Sequence, residues 1–243
     1  MKKMHKGKSI LVVAAHPDDE ILGCGGLMAF HTSRGDQVSV LIAAEGITSR
    51  DDTRSISGRT DELDDLKSVC RRALRTLSVS EVEFGNLPDN RLDSVDLLDI
   101  VKLVERTVQS VNPDVVITHH PGDLNVDHRI LYEAVLTACR PQPGAGVQKI
   151  LTMEVPSATG WLGAGVGAGF EPNYFVNLSE RGSTGLTHLD AKLAALEVYS
   201  SEMRPFPHAR SLEAVRALSA WRGASVGYSW AEAFFIVREL IHG

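Results

Sequence analysis

Apolar runs typical of buried strands alternate with helical patterns along this chain, and this alternation limits the folds it can adopt. Residues 10–15 are apolar and rich in β-branched side chains, as expected of a parallel strand covered on both faces. Residues 21–34 follow with apolar positions at helical spacing and stop at Gly35, which suits the turn that ends a helix. Repeated strand-helix pairs predict βαβ units, an α/β fold class and a mostly parallel sheet.

The same alternation continues through the rest of the sequence. Further strands are predicted at 38–44, 82–84, 115–118, 150–155 and 175–178. Further helices are predicted at 60–77, 95–111, 129–140, 186–200 and 212–222, while 232–241 fits either a helix or a strand. Glycine-rich residues 160–169 predict a loop of the kind that forms a mobile lid. We predict a single domain over 1–243, with residues 1–8 as a flexible tail.

The amino-acid composition limits the kinds of molecule to which the protein could bind and the compartment in which it would work. Twenty-five Lys and Arg against 31 Asp and Glu give a net charge of −6, which argues against binding to nucleic acid. A mean hydropathy of −0.05 argues against a membrane span. The three widely spaced cysteines form neither a disulfide framework nor a structural zinc knuckle, so we expect a cytoplasmic location.

Two predicted loops carry residues suited to catalysis. Ligands of open α/β sheets bind beyond the carboxyl ends of the strands, where residues 15–20 and the segment ending at His128 are expected to meet. Two imidazoles and one carboxylate are a common zinc set, and His16, Asp19 and His128 fit it. The alternative is an acidic first helical turn beside unrelated histidines, which explains the acids but leaves His16 at the strand end unexplained.

The two motifs resemble those of the PIG-L, or LmbE-like, zinc-dependent de-N-acetylases of N-acetylglucosaminyl compounds. The sequence AHPDDE at 15–20 looks like the first motif of that family, and DHR at 127–129 looks like the end of its second motif. The resemblance implies a Rossmann-like three-layer αβα sandwich. It also implies Zn²⁺ held by His16, Asp19 and His128, Asp18 as the general base, and Asp127 within the catalytic group.

Asn125 departs from a frequent pattern of that family, in which a further His stands three residues before the metal-binding His. An amide donates a hydrogen bond but releases no proton near neutral pH. We therefore expect Asn125 to contribute a neutral hydrogen bond to the oxyanion or the substrate. His119 and His120 are the alternatives for an acid beside the leaving group.

Substrate contacts are predicted from the loops after the second and third strands, where Arg50, Asp89 and Arg91 lie. The resemblance favours Asp89, whereas an ordinary surface position is an equal alternative for each arginine. The sequence Gly-Cys-Gly-Gly at 23–26 lacks the spacing of a dinucleotide-binding loop.

We expect a zinc-dependent hydrolase that removes the N-acetyl group from an N-acetylglucosamine-type sugar or its conjugate. The alternatives are a zinc amidase acting on another small amide, such as a thiol conjugate, and a catalytically silent sugar-binding protein. The expected partner is a small N-acetylated sugar or glycoconjugate, and the sequence is also compatible with a homo-oligomer.

Overall fold

The computed structural model describes residues 7–161, 163 and 169–241. Strands in this part are β1 Ser9–Ala14, β2 Gln37–Ala44, β3 Glu81–Leu87, β4 Val115–His119, β5 Lys149–Met153, β6 Tyr174–Asn177 and β7 Ala231–Glu239. Helices are α1 Asp19–Ser33, α2 Thr60–Thr76, α3 Leu97–Val111, α4 Val126–Ala138, α5 His188–Val198 and α6 Leu212–Ala224. None of these helices is both long and apolar enough to cross a lipid bilayer.

The strands form one sheet in the order β3-β2-β1-β4-β5-β7-β6. Strands β1 to β5 are parallel, and β7 runs antiparallel between β5 and β6. One core packs α1, α2 and α5 against one face of the sheet, and a second core packs α3 and α4 against the other face. The predicted α/β fold, a Rossmann-like three-layer sandwich with a mostly parallel sheet, is confirmed.

Strand β1 shows why the central strands read as continuous apolar runs. Ile10, Val12 and Ala14 belong to the first core, whereas Leu11 and Val13 belong to the second. Alternate side chains of a strand point to opposite faces, so a strand between two helical layers needs apolar residues at every position.

Several predicted boundaries shift in the structure. Residues 232–239 of the segment predicted at 232–241 lie in strand β7, so the helical alternative is wrong. Helix α4 starts at Val126, three residues before the predicted start, because Asn125 caps it. Lys8, predicted in the tail, donates its amide to Asp36 and accepts from the amide of Gln37. Most of the predicted lid at 160–169 lies outside the described residues.

Helix α1 is interrupted at Cys24, where φ is −147° and ψ is 24°. The carboxylate of Glu232 on β7 accepts from the amides of Gly26 at 2.8 Å and Leu27 at 2.6 Å. Lys192 on α5 donates to the carbonyl of Leu22 at 2.7 Å and to Glu232 at 2.8 Å. This buried ion pair therefore satisfies the backbone groups that the interruption would leave unpaired.

Close packing explains part of the glycine-rich sequence in α1. A Cβ atom on Gly23 would lie 2.4 Å from the sulfur of Met153 on β5. The glycine therefore lets the helix approach the sheet beside the loop that precedes it, residues 15–18.

Candidate active site

Four of the predicted site residues come from three segments that meet at the carboxyl edge of the parallel strands. His16 and Asp18 follow β1, Asp89 follows β3, and His128 lies in the first turn of α4. All four side chains are buried or nearly so. The sheet topology thus brings together residues that lie more than 100 positions apart.

His16, Asp19 and His128 share one carboxylate oxygen. Oδ2 of Asp19 lies 3.2 Å from Nδ1 of His16 and 3.1 Å from Nε2 of His128. It also accepts the amide of His16 at 3.0 Å. The other oxygen of Asp19 is buried and has no hydrogen-bond partner within the described residues. A buried carboxylate oxygen without a partner indicates that a ligand completes the site.

Electrostatics at this cluster favour a bound cation. Burial opposes charge on His16, but hydrogen bonds with Asp127 and Asp19 outweigh it and raise its pKa to about 10. Burial is likewise outweighed at His128, whose pKa is raised to about 9 by Asp19 and Asp123. Burial favours the neutral form of Asp19, yet the charge on His128 holds its pKa well below the usual range. The carboxylates attract positive charge, and the donor types are those of a zinc site.

Two other groups of possible ligands overlap this one. The group of His119, Asp123 and His128 contains two imidazole rings stacked at 3.7 Å with an interplanar angle of 20°. The lone pairs of stacked rings lie in separate planes and do not converge on one ion. The group of His16, Asp89 and Asp127 uses Nε2 of His16, which is already 3.0 Å from Oδ2 of Asp127.

The carboxylates of Asp127 and Asp123 contact His16 and His128 at the ring nitrogens that do not face Asp19. Asp127 accepts from the amides of Asn90 at 2.7 Å and Leu92 at 2.9 Å, and it faces Nε2 of His16. Asp123 lies 3.1 Å from Nδ1 of His128. Such carboxylate–histidine pairs fix the ring orientation of metal ligands. Asp127, predicted as catalytic, thus lies behind His16 with both of its oxygens engaged, and its catalytic role stays a prediction.

Asp18 and Asp19 are neighbours in the sequence but have different side-chain partners. The backbone of Asp18 has φ of 106°, a region that residues other than glycine rarely adopt. Its Oδ2 accepts from Arg210 at 2.7 Å, while its Oδ1 is buried without a hydrogen-bond partner in the described chain. Burial raises the pKa of Asp18 well above the usual value, although Arg210 opposes this effect.

Glu20, the last acid of the motif, holds the conformation of Asp18. Glu20 accepts the amide of Asp18 at 2.9 Å through one oxygen and the hydroxyl of Tyr199 at 2.7 Å through the other. Burial raises the pKa of Glu20 to about 7, although these hydrogen bonds oppose it. Tyr199, Arg210 and Asp123 are further parts of the site, and the sequence did not predict them.

The chain matches the PIG-L family model, described as GlcNAc-PI de-N-acetylase, over residues 11–139. It is also 30% identical over 206 residues to the uncharacterized deacetylase YaiS of Escherichia coli strain K12, covering 83% of this chain and 95% of that protein. The chain belongs to the PIG-L family. The named deacetylases among its relatives identify it as a hydrolytic N-deacetylase, as the resemblance implied.

Solved structures with the PIG-L fold include enzymes with different reactions. N,N'-diacetylchitobiose deacetylase from Pyrococcus horikoshii superposes with a TM-score of 0.71 at 19% identity, covering 96% of this chain and 85% of that one. The 4-carboxy-2-hydroxymuconate hydratase GalB from Pseudomonas putida KT2440 superposes with a TM-score of 0.74 at 18% identity, covering 97% and 98%. At these identities the likeness concerns the fold alone, so the reaction is argued from the family and the site.

Asn125 takes a structural position in this PIG-L member. Its Oδ1 accepts the amide of Asp127 at 2.8 Å and caps helix α4, while its Nδ2 donates to Asn90 at 2.9 Å. This bond uses one of the two N–H groups of Nδ2, so a hydrogen bond to an oxyanion would use the other. His119 is also engaged, because its Nε2 accepts the amide of Ala15 at 2.8 Å. Burial lowers the pKa of His119 to about 3, so it is neutral near pH 7 and has no acidic proton to donate.

The three predicted substrate residues lie at different depths. Asp89 is 2% exposed and accepts the amide of Ser49 at 3.0 Å beside His16. Arg50 lies at the rim, where it binds both oxygens of Glu202 at 2.8 and 3.0 Å. Arg91 is half-buried in the loop whose neighbouring amides bind Asp127.

Proposed function

We propose that this PIG-L protein is a zinc-dependent hydrolase that removes the N-acetyl group from an N-acetylglucosamine unit carrying an attached group. His16, Asp19 and His128 would hold the zinc ion. The observation that carries the proposal is the shared Oδ2 of Asp19 between two histidines, beside its unpartnered Oδ1. The attached group is supported by the descriptions of the family and of the Pyrococcus enzyme, which name GlcNAc joined to a second unit.

Bound there, zinc would polarise the acetamide carbonyl and make water easier to deprotonate. Asp18 is the general base, because its free Oδ1 accepts the proton of the attacking water while Arg210 holds Oδ2. The water oxygen bonds to the carbonyl carbon, and the C–N bond breaks. Asp18 returns the proton to the leaving nitrogen, which gives acetate and a free amino sugar.

The surrounding residues position the two histidines and the substrate. Asp127 and Asp123 fix the two histidines, and Asn125 holds the start of α4 against Asn90. Asp89, buried beside His16, is the acceptor best placed for a sugar hydroxyl. Arg50 and Arg91 would contact groups farther from the reacting amide.

A cytoplasmic location belongs to the same proposal. The three cysteines are buried free thiols, which agrees with a reducing compartment.

The test measures acetate and amine released from N-acetylglucosamine, N,N'-diacetylchitobiose and an N-acetylated thiol conjugate, with Asp18→Asn as the matched control. We expect zinc-dependent release of both acetate and amine from the two sugars. We expect Asp18→Asn to lose this release. Release from the thiol conjugate alone would replace the sugar assignment with the amidase alternative. Sugar binding without release by the zinc-loaded protein would indicate a silent binding protein.

A further inference from the structure

Trp161 is a large apolar side chain that is linked to the site through His208 and Arg210 and that the proposed reaction does not use. It lies in the short 3₁₀ turn Thr159–Trp161 and is 52% exposed. Its ring meets that of His208 edge to face, with 5.7 Å between centroids. Exposed aromatic surface next to a polar cleft is typical of ligand-binding surfaces.

Two hydrogen bonds attach this turn to the catalytic residues. The hydroxyl of Thr159 donates at 2.7 Å to Asp123, the carboxylate behind His128. The hydroxyl of Ser157 accepts at 2.8 Å from Arg210. Trp161 is therefore presented at a fixed position relative to the metal ligands.

The loop that carries His208 is attached to the general base. The amide of Arg210 donates to Nδ1 of His208 at 3.0 Å, and its guanidinium donates to Asp18 at 2.7 Å. Arg210 thus lies between Asp18 and the pair of Trp161 and His208, which we call the aromatic shelf. A ligand whose amide reaches Asp18 would have to extend past Arg210 to contact the shelf.

We propose that the aromatic shelf binds a second pyranose ring, joined by a glycosidic bond to the sugar that is deacetylated. This inference rests on the proposed function. The apolar C–H face of a pyranose fits an indole, and its hydroxyls suit the polar groups of Ser157, His208 and Arg210. An alkyl chain would cover these polar groups without offering them hydrogen bonds, which is unfavourable.

Kinetics on substrates with and without the second ring test the assignment. Trp161→Ala is compared with Trp161→Phe and with Trp221→Ala, which removes another exposed tryptophan, on α6. We expect Trp161→Ala to raise KM for N,N'-diacetylchitobiose roughly threefold to tenfold, the size of an aromatic contact. KM for N-acetylglucosamine and both kcat values stay unchanged. Trp161→Phe keeps most of the wild-type affinity for N,N'-diacetylchitobiose, because it retains an aromatic ring, and Trp221→Ala changes neither KM.

An equal rise in KM for both sugars, or no rise, would overturn the subsite. A larger effect on octyl 2-acetamido-2-deoxyglucopyranoside than on the disaccharide would assign the shelf to an alkyl chain instead. Saturation-transfer NMR of the zinc-loaded protein with N,N'-diacetylchitobiose separates this inference from the reaction itself. This measurement does not depend on acetate release. We expect the protons of one sugar ring to receive less saturation from Trp161→Ala than from the wild-type protein. Equal saturation from the two proteins would contradict binding at the aromatic shelf.

Discussion

Arg210 reaches Asp18 across 192 positions of the sequence, and the two side chains meet at 2.7 Å. The contact leaves one carboxylate oxygen of Asp18 held and the other unpartnered. Asp18 is nearly fully buried, and the guanidinium of Arg210 holds one of its carboxylate oxygens.

Replacing Arg210 by Met is expected to lower kcat by about tenfold to 100-fold, the range for losing a hydrogen bond to a buried charge, with zinc content unchanged. Arg210→Lys restores part of the activity because it keeps the cation. Arg204→Met is the matched control, since Arg204 donates only to backbone carbonyls of its own segment. Wild-type kcat in Arg210→Met would exclude the positioning role.

Replacing Asp18 and replacing Asp19 by Asn are expected to have different effects on zinc content and turnover. Asp18→Asn keeps zinc but loses about 10²-fold to 10⁴-fold in turnover, because an amide of similar shape cannot take the proton from water. Asp19→Asn loses zinc, because it replaces the shared ligand oxygen. Metal analysis after gel filtration, paired with acetate release, distinguishes the two. Equal loss of zinc from both variants would contradict the separate roles.

Zinc binding is expected to release protons. At pH 7 His16 and His128 are protonated when no cation is bound, because their pKa values are about 10 and 9. Zinc requires neutral imidazoles, so binding displaces about two protons, and its affinity rises as the pH approaches those pKa values. Calorimetric titration with Zn²⁺ in buffers of different ionisation enthalpy measures the number. His128→Ala should bind zinc weakly, and proton-neutral binding to the wild type would contradict the ligand set.

Two substitutions of Asn125 distinguish its role as a helix cap from a role in catalysis. Asn125→Ala is expected to lower the free energy of unfolding by about 1 kcal/mol, whereas Asn125→Asp, an equally good cap, retains it. Denaturant unfolding checks this difference. If Nδ2 also donates to the oxyanion, both variants lose about 10²-fold in kcat at full zinc occupancy. Unchanged kcat in both would restrict Asn125 to capping.

Most of the fold could be predicted because it depends on local patterns. The apolar runs of β1 and β4 and the helical spacing of α2 and α3 reflect burial that every neighbouring residue shares. Strand β7 was ambiguous because its apolar run fits both periods, and only pairing with β5 and β6 decides between them. The cap of α4 carries a local signal that the prediction from residue 129 did not use, since Asn125 is a favoured capping residue directly before Val126.

The parts of the site that were missed depend on contacts between distant segments. Arg210 and Tyr199 reach Asp18 and Glu20 from almost 200 positions away, and an isolated Arg or Tyr leaves no periodic trace. The motif around His16 was visible because its chemistry is concentrated in six consecutive residues. A sequence pattern thus finds ligands that lie together but not the side chains that arrive to orient them.

The interruption of α1 also bears on when the enzyme becomes active during its synthesis. The family match ends at residue 139, by which point His16, Asp19 and His128 have all been translated. Lys192 and Glu232, which satisfy the broken helix behind the first motif, emerge from the ribosome much later. A nascent chain would thus carry the three residues proposed to hold zinc before it can complete the helix behind them, and we expect activity only once β7 has been synthesised.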